Sequence, residues 1–127
     1  MSQRVMTTMS KVFRVQDAEG RGPWRPGFST TWIEADAPVG RLTETLMDLV
    51  PPNTLRSLPR DRSYGCGCRS YASLMAWFTA SEIRTLAALG YKVVELNIDG
   101  VLAESDSQVV FERFRPLTEG VTIRRWP

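Results

Sequence analysis

Apolar positions recur with two different periods along this chain, and each change of period marks an element. The signals are densest over residues 64–98. Tyr71, Leu74, Met75 and Phe78 fall at i, i+3, i+4 and i+7, the stripe of a helix with one buried face. Ser70 stands just before them, where its hydroxyl can accept from a first-turn N–H that has no partner inside the helix. Thr79 with Glu82 three residues on has the form of a capping box, which starts a second helix carrying Ile83, Leu86, Ala87 and Leu89. Gly90 sits where a left-handed residue ends such a helix. Residues 91–98 then form a strand, closed by the turn signal Asp99-Gly100.

Upstream, residues 11–16 alternate and predict a strand, with Phe13 and Val15 on the core face. Val12, Arg14 and Gln16 share the other face, so Arg14 is expected to point into solvent or a cleft. Residues 17–28 hold three glycines, two prolines and two arginines, a loop long enough to be functional. Thr31-Trp32-Ile33 forms a short strand or an irregular turn. A helix is expected from about residue 39 to residue 50, burying Leu42, Leu46, Met47 and Val50 and stopped by Pro51-Pro52. Residues 53–63 read as a second polar loop. Val101-Leu102-Ala103 leads into an acidic turn, residues 108–114 into another strand, and residues 121–126 into the last one. Residues 1–10 are polar and small and are expected to be flexible. The expected architecture is a single domain over residues 1–127, of α+β class, with a small split β-sheet core of four to six strands and about three helices.

Composition narrows the chemistry. The chain has 127 residues, of which 43% are hydrophobic, enough for a real core. No apolar run approaches a membrane span and no basic-then-apolar leader opens the chain, so a cytoplasmic location, with no membrane partner, is expected. Histidine is absent, which removes the base from Ser–His–Asp and Cys–His mechanisms. Cys66 and Cys68 are too close in sequence for an easy disulfide and supply too few thiolates for a zinc site, so no metal is expected and both are read as strand residues packing inward.

The net charge of +2 does not by itself indicate nucleic acid, although direct contact with it stays open. The charge is uneven. Residues 53–70 hold Arg56, Arg60, Arg62 and Arg69 against Asp61 alone, and residues 32–48 are acidic. Arg21, Trp24 and Arg25 on the first loop, with Arg56, Arg60 and Arg62 on the second, combine bidentate cations with a flat aromatic. That composition suits an interaction surface for a phosphate-rich or acidic partner. Singly, each of these arginines reads first as an ordinary solvated residue.

Three short motifs add a resemblance. Phe13-Arg14 lies on the first strand, and Gly67-Cys68-Arg69-Ser70 stands ahead of Leu74-Met75-Ala76-Trp77-Phe78. Asp106-Ser107-Gln108-Val109-Val110-Phe111 is the third. Over residues 11–114 this order resembles small phage and prophage proteins of ADP-ribosyltransferase-like type, whose catalytic members place Arg, Ser and Glu on three strands around a nicotinamide pocket. The resemblance implies a transferase-like fold in which Arg14 contacts the ribose or phosphate of NAD, Ser70 buttresses the pocket, and Tyr64 and Tyr71 stack on the nicotinamide. Gln108 would stand where the catalytic glutamate belongs, and an amide offers no negative charge to an oxocarbenium ion. The resemblance therefore points first to a binding protein that needs no cofactor. It would inhibit a host defence complex, a protein or ribonucleoprotein assembly, in the manner of an anti-CRISPR. The alternative is an active NAD-dependent ADP-ribosyltransferase that modifies a host protein through Arg14, Ser70 and Gln108.

Overall fold

The computed structural model describes residues 10–25, 27–34 and 46–127, the side chain of Met47 excepted. Two antiparallel three-stranded sheets make up the α+β core. The first contains β1 (Lys11–Gln16), β3 (Lys92–Asn97) and β6 (Thr122–Arg124), in the order β1-β3-β6. The second contains β2 (Ser63–Gly67), β4 (Gly100–Glu104) and β5 (Val109–Arg113), in the order β2-β5-β4. The first two helical segments are α1 (Leu46–Leu49) and α2 (Pro52–Arg56). They are followed by α3 (Tyr71–Met75) and α4 (Ala80–Ala88), and one 3-10 turn spans Ser29–Thr31.

The two sheets meet at a single bridge. Phe13 N–H donates to Cys68 O and Cys68 N–H donates to Phe13 O, each at 2.8 Å. Beside the bridge the backbones come so close that a Cβ on Gly67 would lie 2.8 Å from the carbonyl oxygen of Phe13 and 3.1 Å from Val12 Cβ. Only glycine fits there. At its other end the first sheet passes directly into the second. Ile98 N–H still extends the first sheet, donating to Ser10 O, while Asp99 N–H already donates to Glu112 O of β5.

Because β1 and β3 are covered on both sides, their alternation does not separate core from solvent. Phe13, Val15 and Val93 face a cluster with Trp32, Leu74, Trp77, Leu86 and Tyr91, supplied by the helices and the preceding loop. Val12, Val94, Leu96 and Ile98 face the second sheet, packing with Val109 and Phe111. The expectation that Arg14 points to solvent or an open cleft is therefore corrected. Arg14 shares the Val12 face and is only 7% exposed, because the second sheet folds over that face.

The central stretch forms as its local signals dictate. Ser70 Oγ accepts from Ser73 N–H at 3.1 Å and caps α3. Thr79 and Glu82 form a reciprocal capping box on α4. Gly90 takes φ +91° just past its end. Glu82 does more than cap. It is fully buried, and its second carboxylate oxygen accepts from Glu34 N–H at 2.9 Å, which fastens the 29–34 turn to α4.

Three expectations change. Residues 53–63 are not loop throughout, since Pro51 is the N-cap of α2 and Pro52 opens it. Proline at the first helical position loses only an N–H that has no partner there. Val101-Leu102-Ala103 is strand β4 rather than a lead-in to a turn. Of the two forms expected for Thr31-Trp32-Ile33 the strand is not formed: Thr31 closes a 3-10 turn, and Trp32 is held by its indole N–H to Pro23 O at 2.9 Å. The expected helix at residues 39–50 is observed over Leu46–Leu49, with Val50 buried beyond it. Its earlier part, Leu42 included, lies outside the described residues, as do residues 1–9.

The close approach at Gly67 yields a direct test. Gly67→Ala forces the bridge apart and is expected to cost about 2–3 kcal/mol, in the range of an overpacked core site. Urea unfolding of the purified variant measures it, and a change under half a kcal/mol would contradict the geometry.

Candidate functional site

Of the residues singled out from sequence, Arg14 has the most constrained surroundings. It sits at the centre of β1, opposite Val94. Its Nη1 donates to Cys66 O at 3.2 Å and its Nη2 to Gly20 O at 3.0 Å. The guanidinium lies against Gly65, where any side chain would collide with it and, at 2.9 Å, with the Phe111 ring. Its Nε is buried and finds no acceptor among the described residues. Burial pulls the pKa of Arg14 down, while Cys66 and Asp17 act in the opposite direction. The result is a cation sealed between sheets and held by carbonyl dipoles, where planar, weakly hydrated guanidinium is better tolerated than an ammonium.

Ser70 and Gln108 flank the same seam in different surroundings. Ser70 is exposed at the start of α3 and engaged as its cap. Gln108 is buried just before β5, next to the Gly67–Val109 pair. The turn ahead of it is knit by Ser105, whose Oγ accepts from Ser107 N–H at 3.2 Å and Gln108 N–H at 3.3 Å. Tyr64 and Tyr71 each donate a hydroxyl to backbone: Tyr64 to Pro59 O at 2.6 Å, and Tyr71 to Arg125 O at 2.7 Å.

The six residues expected to form an interaction surface divide by what holds them. Arg21 pairs with Asp17 at 2.9 Å and with Glu19 at 2.7 Å. Burial opposes ionisation of Asp17, but hydrogen bonds from the Arg21 backbone and side chain outweigh it and hold that carboxyl below its ordinary value. Arg25 donates to the Tyr91 hydroxyl at 2.7 Å and lies 4.4 Å above the Phe28 ring centre. Trp24 is 46% exposed, yet it packs edge-on against Trp32 and Trp77 and stacks on Phe78. The first loop is thus packed on Trp77 and Phe78, which follow α3, and on Tyr91, which precedes β3.

The second loop differs. Arg62 pairs with Asp61 at 3.1 Å and reaches Glu112 at 3.5 Å, with its guanidinium 4.7 Å from the Phe114 ring centre. Arg56 donates, among the described residues, only to the neutral Asn53 side chain. Arg60 is exposed and takes part in no ion pair among the described residues. These arginines rim an open depression of about 370 Å³. Its floor, Leu55 and Leu58, was not legible in the sequence reading, which treated residues 53–63 as a polar loop.

A family model described as bacteriophage T4 Y00F protein matches residues 6–120. The chain belongs to that family. It is a phage protein, and the match spans β1 through the 114–120 loop, so both sheets fall largely within it. No curated protein and no solved structure matches the chain. Among the described residues no cluster of three or more Cys, Asp or Glu is placed to hold a metal ion, and no helix is long and apolar enough to cross a membrane.

The two thiols complete the seam. Both are free. Burial pushes the Cys68 thiol up to about 11, against an opposing hydrogen bond from Trp77, and its Sγ lies 3.4 Å from Ser107 O. Burial also raises Cys66, with Arg14 opposing. The folded state therefore prefers the neutral Cys68 thiol. The stability this confers is complete below pH 9, where the unfolded thiol is also protonated, and is lost as pH rises towards 11. Urea unfolding at pH 8 and at pH 10.5 should show a larger drop for wild type than for Cys68→Ala. Equal drops would remove Cys68 as the cause.

Proposed function

We propose that this phage protein acts by binding rather than by chemistry, as a small inhibitor of a host defence complex in the host cytoplasm, without a cofactor. The observation that carries the reading is the position of Arg14. The guanidinium that a transferase would turn towards the phosphates or ribose of NAD is buried, and donates instead to Cys66 O and Gly20 O. Ser70 is engaged as a helix cap, and Gln108, which the resemblance would set at the catalytic glutamate's position, is a buried neutral amide. Arg14 and Ser70 thus both have structural employment.

The arginine-bearing loops offer a partner exposed charge beside apolar area. A binding protein of this size needs a rigid patch of charge and apolar area, since preordered side chains lose less entropy on association. The second loop supplies such a patch, braced internally by the Tyr64–Pro59 and Ser57–Thr54 hydrogen bonds.

Two measurements test this reading. Titration of NAD into the purified chain, followed by calorimetry, is expected to give no saturable heat, and incubation with labelled NAD and host lysate no labelled protein. A tagged chain expressed in host cells is expected to co-purify with a stable host assembly. Saturable NAD binding together with a labelled host protein would replace this reading with the transferase one.

A further inference from the structure

The depression beside α2 has a chemistry that specifies more than a generally basic surface. Its floor is aliphatic, formed by Leu55 and Leu58 with Pro59 at the side. Tyr64 walls it and cannot swing freely, because its hydroxyl is bonded to Pro59 O. Arg62 stands on the rim but is neutralised by Asp61 and Glu112. Arg56 and Arg60 are the rim cations without a carboxylate partner among the described residues.

Resting on the binding reading above, we infer that this depression is the docking site for an acidic polypeptide segment of the partner, one that seats a leucine-like side chain on Leu55 and Leu58 and presents carboxylates to Arg56 and Arg60. Two arguments favour a polypeptide over a nucleic acid. Single strands are held by exposed aromatic faces that stack bases and by a track of cations that follows the phosphates. Here Leu55, Leu58 and Pro59 are the aliphatic residues of the lining, Tyr64 is the one aromatic in that lining, and charge without a carboxylate partner among the described residues is confined to two arginines a few residues apart. The depression is lined by residues of one short stretch, 55–64, and so is a local recess rather than a track along which successive nucleotides could lie. The two free guanidiniums at the rim would select carboxylates flanking that anchor, and would do so more through orientation and encounter rate than through raw affinity.

This inference also divides the two loops. Arg21 and Arg25 already have partners inside the chain, so the first loop supports the fold while the second makes the contact.

The test uses the full chain, labelled with nitrogen-15, and three probes of matched length. One is a synthetic peptide of glutamate, leucine and alanine, one is the same peptide with leucine replaced by serine, and one is a single-stranded oligonucleotide. The leucine-bearing peptide is expected to shift amide signals of residues 55–64 and to bind more tightly than the other two. Arg56→Glu with Arg60→Glu should weaken it about ten-fold at an unchanged melting temperature, Arg56→Lys with Arg60→Lys should recover part of the loss, and Arg21→Glu with Arg25→Glu should leave it unaltered at residues 55–64. Tighter binding by the oligonucleotide, shifts confined to other faces, or no effect of the Arg56 and Arg60 reversal would overturn the inference. If the reversed variant still co-purifies with the host assembly, the site assignment fails while the binding reading stands. If wild type co-purifies with none, the binding reading itself fails.

Discussion

The molecule is organised around one close contact between backbones, the paired hydrogen bonds of Phe13 and Cys68 beside Gly67. Each three-stranded sheet carries an apolar face that must be covered to leave water. Joined at the bridge, they enclose Val12, Val94, Leu96, Ile98, Val109 and Phe111 between them. The same contact sets Cys68 against the helix-side cluster and delivers Ser70 to the start of α3. A side chain at residue 67 would separate the strands and so open both clusters.

Two arginines finish the space that the bridge defines. Arg14 fills the seam near Gly65, and Arg113 closes the far end, donating to Asn97 O at 2.9 Å, Pro116 O and Gly120 O at 3.2 Å. Burial lowers the pKa of Arg113, with Arg115 adding to the effect. Gln16, on the Arg14 face, donates to Leu117 O at 2.9 Å, so the 114–120 loop is clasped from both sheets. Neither arginine has a carboxylate in ion-pair contact among the described residues. Several carbonyls converging on a planar cation replace its hydration, and removing the cation leaves those carbonyls unsatisfied in a dry site. These residues are polar in composition but act as core.

That distinction explains what could be read from the sequence. The caps at Ser70 and Thr79, the stop at Gly90 and the alternation of residues 11–16 are local, and each has the form its neighbours dictate. The α+β class followed from the same signals. The direction of Arg14 did not, because a cation on an alternating strand looks like a solvent face until a second sheet is known to cover it. Pro51-Pro52 was legible as the end of one helix but not as the start of α2, since proline carries both meanings and only the following backbone decides. The Leu55–Leu58 floor depends on where β2 brings Tyr64, a tertiary fact without local pattern. Charge alone marked the second loop; partnering within the folded chain separated Arg56 and Arg60 from Arg21 and Arg25.

The pairing of β1 also has a consequence in time. Its hydrogen-bonded neighbours, Cys68 and β3, lie far downstream, so the earliest of the described strands to be synthesised cannot be completed when it emerges. At ~5–20 residues per second, β1 waits on the order of ten seconds for Lys92–Asn97 to be translated, with one edge open and apolar groups on both faces uncovered. Non-local pairing of this kind slows folding independently of final stability. The first sheet therefore assembles only once most of the chain has been made, and β1 stays open to other contacts until then.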